Sequence, residues 1–135
     1  MNYTLELIVI PVSDIDRAKA FYADRAGFTV DVDHRAGDDF RVVQLTPPGS
    51  ACSIALLRNQ PVQPGSARGL HLCVSDIEAA RAELAGRGVD VSEIFHFGPE
   101  GQQPGPDPQR GNYNSFASFE DPDGNGWLLQ EVKRD

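Results

Sequence analysis

Three histidines, two cysteines and a scatter of carboxylates are the side chains with which this chain of 135 residues can do chemistry. His71 and Cys73 stand two residues apart in the apolar run 70–74, so an extended backbone would put both on one face. An imidazole titrates near neutrality and can act as a hydrogen-bond partner, a general base or a metal ligand. His71 is therefore the candidate catalytic residue. The plainer alternative is a histidine satisfied by a neighbour on a packed strand. Cys73 is a weaker candidate, because a thiolate needs a nearby cation or helix N-terminus. Reduced, half-buried, inert thiols are the ordinary reading of Cys73 and Cys52. Gln130, in the last apolar run, can hold a ligand carbonyl or amide, or only bridge strands. Tyr113 beside Asn112 would form a rim. Phe95, Phe97 and Trp127 can stack on a planar ligand, although alternation along its strand assigns Trp127 to the core. His96, between Phe95 and Phe97, reads as a solvated loop side chain.

Something must position these groups, and the sequence repeats the positioning unit. Val12-Ser13-Asp14-Ile15-Asp16 returns as Val74-Ser75-Asp76-Ile77-Glu78, an offset of 62 residues that also aligns Ala18 with Ala80, Ala20 with Ala82 and Arg25 with Arg87. A repeated unit implies two packed copies with a shared surface suited to a small-molecule pocket. Each copy opens with an apolar run, 5–12 and 70–74, that reads as a strand. Ser13 with Asp16 and Ser75 with Glu78 fit capping boxes and predict helices. Ile15, Ala18 and Tyr22 share one helix face, as do Ile77, Ala80 and Leu84. Gly27 closes the first helix, and Gly86 or Gly88 the second. The period then falls to about 2, predicting strands at 28–32, 41–45 and 52–57, and at 89–95, 113–119 and 127–132. The turn 121–125 joins the last two as a hairpin. Each copy thus reads strand, helix, three strands. The segment 95–113 holds Pro99, Pro104, Pro106 and Pro108 without a period. It reads as a long structureless loop, either a wall over a pocket or a mobile surface segment.

Composition bounds the function. A hydrophobic fraction of 40% is that of an ordinary globular domain, and 135 residues fit a single one, with module one at 4–58, a linker at 59–68 and module two at 69–133. A net charge of −8 argues against nucleic acid, whose phosphates need a basic face. No apolar run is long enough for a membrane span and no signal peptide is apparent, so the expected location is cytoplasmic.

Two strand–helix–three-strand copies, each opening with an apolar strand into Val-x-Asp, and the late Asp121-Pro122-Asp123-Gly124-Asn125 turn resemble the vicinal oxygen chelate superfamily. That group holds glyoxalase I, bleomycin and fosfomycin resistance proteins and extradiol dioxygenases. Phe21-Tyr22 late in the first helix fit the same pattern, and the likeness covers residues 5–132. The resemblance implies an α+β fold of two βαβββ modules in tandem, their mixed sheet curled into a half-barrel cup with the helices outside, commonly completed in a homodimer. It also implies, in catalytic members, a divalent metal held by His and Glu that polarises two neighbouring substrate oxygens. Carried onto this chain, the usual ligand positions are Leu7, Gly69 and Leu128, and none has a donor atom. Glu6 and Glu131 have the wrong strand parity, and His71 alone keeps the inward one. No metal or other cofactor is therefore expected.

The same parity nominates Leu7, Val9, His71, Cys73, Leu128 and Gln130 as the lining, with Tyr113 at the rim. The leading expectation is a metal-independent protein that binds a small aromatic or amphipathic molecule. The alternative is a lyase, isomerase or dioxygenase of the same superfamily, working through His71 or a rearranged metal site. The sequence does not decide whether the chain is an enzyme.

Overall fold

The first apolar run forms strand β1 (Leu7–Pro11), and helix α1 (Ile15–Ala20) follows it, capped by Asp14. The computed structural model describes residues 1–134. The caps correct the capping-box expectation by one residue. Asp14 accepts from the Arg17 N–H at 3.0 Å, and Asp76 from the Glu78 and Ala79 N–H groups at 3.1 Å each. An aspartate cap supplies both an acceptor and a negative charge to the positive helix end. Ser13 is engaged elsewhere, its N–H and hydroxyl both donating to Asp123.

The chain divides into two units: residues 1–67 with the turn 121–125, and residues 68–120 with 126 onward. In the first, α1 runs into a π-helical turn (Phe21–Arg25), and Gly27 follows with φ 79°. Strands β2 (Thr29–Ala36), β3 (Phe40–Thr46) and β4 (Ser53–Leu57) complete a four-stranded sheet of order β1-β4-β3-β2. The β1–β4 pair is parallel and the others are antiparallel. Helix α1 packs on β3 and β4. Ile10, Val43, Leu45, Ile54 and Leu56 are buried, as are Ile15, Ala18 and Tyr22 of the helical stretch. Full burial of each large aliphatic side chain contributes about 1.5–3 kcal/mol. The turn 121–125 ties this unit together. The Tyr22 hydroxyl donates to Asp121 at 2.8 Å, and Asn125 Nδ2 donates to Asp121 and to the Pro11 carbonyl.

In the second unit, β5 (Leu70–Val74) leads into α2 (Ile77–Gly86), which Gly88 ends with φ 90°. Gly86 is the last helical residue, so the cap falls to the later of the two candidate glycines. Strands β6 (Phe95–Gly98), β7 (Gly101–Pro104), β8 (Phe116–Glu120) and β9 (Gly126–Glu131) join β5 in the order β5-β9-β8-β6-β7. Helix α2 packs on β8 and β9. Tandem α+β modules are thus observed, with one correction. The segment 95–113 is not structureless, because its first ten residues form the β6–β7 hairpin around Pro99-Glu100. Its prolines fall in the turn, at the end of β7 and beyond, where no ladder hydrogen bond is lost. Strand pairing also starts later than expected: residues 89–94 are irregular and β8 begins at Phe116 rather than Tyr113.

Candidate functional site

The face of the second sheet turned away from α2 is built from two cross-strand rows. Register places Cys73 beside Gln130, Gln130 beside Phe116, Phe116 beside Phe95, and Phe95 beside Pro104. The parallel row is His71, Leu128 and Ser118. Directly opposed residues in a sheet share a face, so these side chains stand together. The opposite face is core: Trp127, Leu129 and Glu131 are buried alternately with half-buried Leu128 and Gln130. Trp127 stacks on Phe119 with ring centroids 6.1 Å apart, which matches the core position that alternation assigns to it.

An aromatic cluster is built on the first row, with Phe97 in the next position along β6, beside Gln102. Phe95 and Phe116 stack at 5.6 Å, and Phe97 meets both edge-on at 6.0 and 5.6 Å. Phe97 remains 50% exposed, an apolar ring left open to solvent beside two rings it already touches. A cleft of about 430 Å³ adjoins this cluster, bordered by Phe95, Ser118, Ser92, Glu93, Gln102 and Gln103. Phe116, Ser118 and the glutamines are missed by the sequence reading. Counting the hairpin register across the 121–125 turn from Gln130 would have found the first two.

His71 is exposed, and its Nδ1 lies 2.7 Å from the Gly69 carbonyl, so a neighbouring backbone group does engage one nitrogen. Cys73 is exposed rather than half-buried, its thiol 3.9 Å from the Val132 carbonyl. Among the described residues, no cationic side chain is hydrogen-bonded to it. Gln130 Nε2 donates to the Tyr113 carbonyl at 3.3 Å. Tyr113 is exposed and has φ 71°, a conformation uncommon for a non-glycine residue. Its N–H donates to the Glu131 carbonyl at 2.9 Å. His96 is buried rather than solvated, with Nδ1 2.8 Å from the Gly105 carbonyl, and it faces away from Phe95 and Phe97. In the first unit, Leu7 and Val9 stand exposed on the face of β1 away from α1, at 39% and 41%.

Glu131 is fully buried behind this face. Arg110 donates to both of its oxygens, from Nε at 3.0 Å and Nη2 at 2.7 Å, and the Ile77 N–H at the start of α2 donates at 2.9 Å. The Arg110 guanidinium holds the carboxyl below its ordinary value, burial opposes the shift, and the Ile77 hydrogen bond adds to it. Glu131 is thereby a structural acid spent on Arg110 and α2, as its strand parity predicts.

The donor set does not fit a divalent cation. Leu7 and Leu128 are hydrocarbon and Gly69 has no side chain. Among the described residues, no three His, Cys, Asp or Glu side chains converge closely enough to hold a metal. Among the described residues, no helix is long and apolar enough to cross a membrane.

Comparison with known proteins gives the face a context. No curated protein matches the chain in sequence. Among solved structures it is similar to TnmS3, an antibiotic binding protein from Streptomyces sp. CB03234, at 34% identity and a TM-score of 0.76 over 98% of each chain. A glyoxalase/bleomycin resistance protein from the same organism matches at 35% identity and a TM-score of 0.72, over 94% of this chain and 99% of that one. A member of the same superfamily from Sphaerobacter thermophilus DSM 20745 matches at 29% and 0.73, over 97% and 98%. The family model for the glyoxalase/bleomycin resistance protein/dioxygenase superfamily matches residues 4–129, and the chain belongs to that superfamily.

Proposed function

We propose that this protein binds a flat, amphipathic aromatic molecule on the open face of its second sheet, without a metal. The observation that carries the reading is the Phe95–Phe97–Phe116 cluster, a preformed aromatic surface with one ring half exposed. Cluster and cleft combine apolar area with a few convergent polar groups, the usual make-up of a small-molecule site. In this reading Leu128 extends the apolar floor, while His71, Cys73, Gln130 and the Tyr113 backbone form its polar margin. Leu7 and Val9 are exposed apolar side chains of the first sheet. Likeness at 34% identity to an antibiotic-binding protein supports capture of an antibiotic-like molecule over turnover. The exposed aliphatic side chains of β1 favour a homodimer, which sedimentation at micromolar concentration tests. The free thiols of Cys52 and Cys73 suit a reducing cytoplasm.

The test is calorimetric titration of wild-type and Phe97→Ala protein against polycyclic aromatic probes such as anthraquinones. Wild-type protein is expected to bind, and loss of one stacking ring should cost about 0.5–1.5 kcal/mol of affinity. Failure of every planar probe to bind, or unchanged affinity in Phe97→Ala, sinks the reading.

A further inference from the structure

Three arginines line up across one end of the first sheet. Arg35 of β2 lies directly opposite Arg41 of β3 in the antiparallel register. Arg58 immediately follows β4, and the β3–β4 register, carried on from Val43 opposite Leu56, sets it against Arg41 from the other side. The row stands on the helix face, because Arg41 reaches Asp16 of α1 and Asp33, two residues from Arg35, reaches Lys19 of α1. All three arginines border one cleft of about 350 Å³, together with Asp14, Asp16 and Asp38. Like charges directly opposed on a sheet destabilise it unless they are paired. Arg41 is paired: Nε and Nη2 donate to Asp33 at 2.9 and 2.8 Å, and Nη1 to Asp16 at 2.5 Å. Its side chain is 11% exposed, so it is a structural hub. The two flanking arginines differ from it. Both are exposed, and among the described residues neither guanidinium has an ion pair or hydrogen bond. In a chain with 20 acidic and 12 basic residues, these two cations stay unpaired beside a cleft.

We infer that this cleft binds a small carboxylate, held between the Arg35 and Arg58 guanidiniums over the Arg41 hub. The two backbones stand about 10 Å apart, two strand spacings, which long arginine side chains can close from either side. A guanidinium fork matches the paired oxygens of a carboxylate. The lining also sets how much charge the ligand brings. Three arginines against three aspartates leave the cleft formally neutral. Asp14 is engaged by the Arg17 N–H and Asp16 by Arg41, yet both remain negative beside the ligand, as does Asp38. A single carboxylate meets two free guanidiniums there, whereas a phosphate dianion brings extra charge against the aspartates. Phe40 borders the cleft too, but alternation turns its ring to the opposite face from Arg41, so the ligand needs no aromatic ring. The site lies within the first unit and is independent of the aromatic surface on the second sheet.

Spectra of the arginine Nε–H groups (¹⁵N–¹H correlation) test this during titration with propionate, propionamide and inorganic phosphate at low ionic strength. Propionate should shift the Arg35 and Arg58 signals saturably while those of Arg68 and Arg87 stay in place. Propionamide, which has the same shape without the charge, should shift neither. Arg35→Gln and Arg58→Gln should each weaken propionate by roughly three- to tenfold, between an exposed ion pair and a charge-assisted hydrogen bond. Added salt should weaken it in wild-type protein as well. Both substitutions replace exposed, unpaired side chains, and unchanged backbone spectra would show that the fold is kept. Absence of a saturable shift at Arg35 and Arg58, equal effects of propionate and propionamide, or full affinity in both variants would overturn the inference. Phosphate binding tighter than propionate would overturn the carboxylate assignment and make the cleft a phosphate site. None of these results bears on the aromatic reading, which Phe97→Ala and the planar probes test in the other unit.

Discussion

Tyr22 shows how one side chain ties distant sequence together in this fold. It is completely buried, and its hydroxyl donates to Asp121, which also accepts from Asn125 Nδ2 at 2.8 Å. Backbone N–H groups of Asp123 and Asn125 reach the other Asp121 oxygen, so the carboxylate is satisfied without a cation. The Asp-Pro-Asp-Gly-Asn turn is thus a structural clasp rather than a ligand site. Removing the hydroxyl alone leaves one acceptor lone pair of Asp121 unpaired in the interior. Tyr22→Phe should destabilise the protein by about 1–2 kcal/mol with its aromatic packing retained. Urea unfolding measures this, and a loss below a few tenths would mean that the clasp does not need its phenol. The motif is legible in the sequence as a turn. Its partner is not, because 99 residues separate Tyr22 from Asp121 and no local pattern encodes that contact.

Among the elements, alternation was the most legible signal. The period-2 pattern in 127–132 assigns Leu128 and Gln130 to one face and Trp127 to the other, and β9 has that arrangement. The β6–β7 hairpin is not legible, since two four-residue strands around a Pro-Glu turn are too short to show a period. Nor is the residue that caps each helix, because serine and aspartate are adjacent and both can do it. What anchors the start of α2 from outside is Glu131, which accepts from the Ile77 N–H while paired to Arg110. Its carboxyl sits below the ordinary 4.5 when folded. A depressed folded value means the unfolded chain binds the proton more readily. The contribution to stability is therefore complete above about pH 4.5 and is lost as pH falls through the folded value. Asp33, held down by Arg41 and Lys19, adds a similar loss beginning near its ordinary 3.8. Stability should be nearly flat from neutrality to pH 5 and fall steeply below 4.5. Denaturant unfolding at stepped pH should give a shallower fall for Glu131→Gln than for wild-type protein just below pH 4.5. Identical slopes would show that Glu131 carries no linked proton.

At the scale of the molecule, the duplicated module is what the chain keeps of its family, and donor side chains at Leu7, Gly69 and Leu128 are what it lacks. The repeat was legible because Val-Ser-Asp-Ile does local work twice, ending a strand and starting a helix. The ligand face was less legible because each module diverges there: Gly69 just before β5, and His71 and Cys73 on it, stand where β1 carries Leu7, Val9 and Pro11. Catalytic zinc takes three protein ligands with nitrogen, sulfur or oxygen donors. Here two of the corresponding positions are leucine and the third is glycine, and the nearby imidazole already donates to the Gly69 carbonyl. A lone imidazole beside hydrocarbon cannot repay the hydration that a divalent ion gives up. Untagged protein incubated with Zn, Ni, Fe and Mn and then dialysed should therefore hold well under one equivalent of any of them by plasma mass spectrometry. His71→Ala should leave that content unchanged. Near-stoichiometric metal that resists dialysis, and falls in His71→Ala, would mean that His71 is a ligand in a rearranged centre. The superfamily's chelate chemistry would then replace aromatic capture as the leading account of this face.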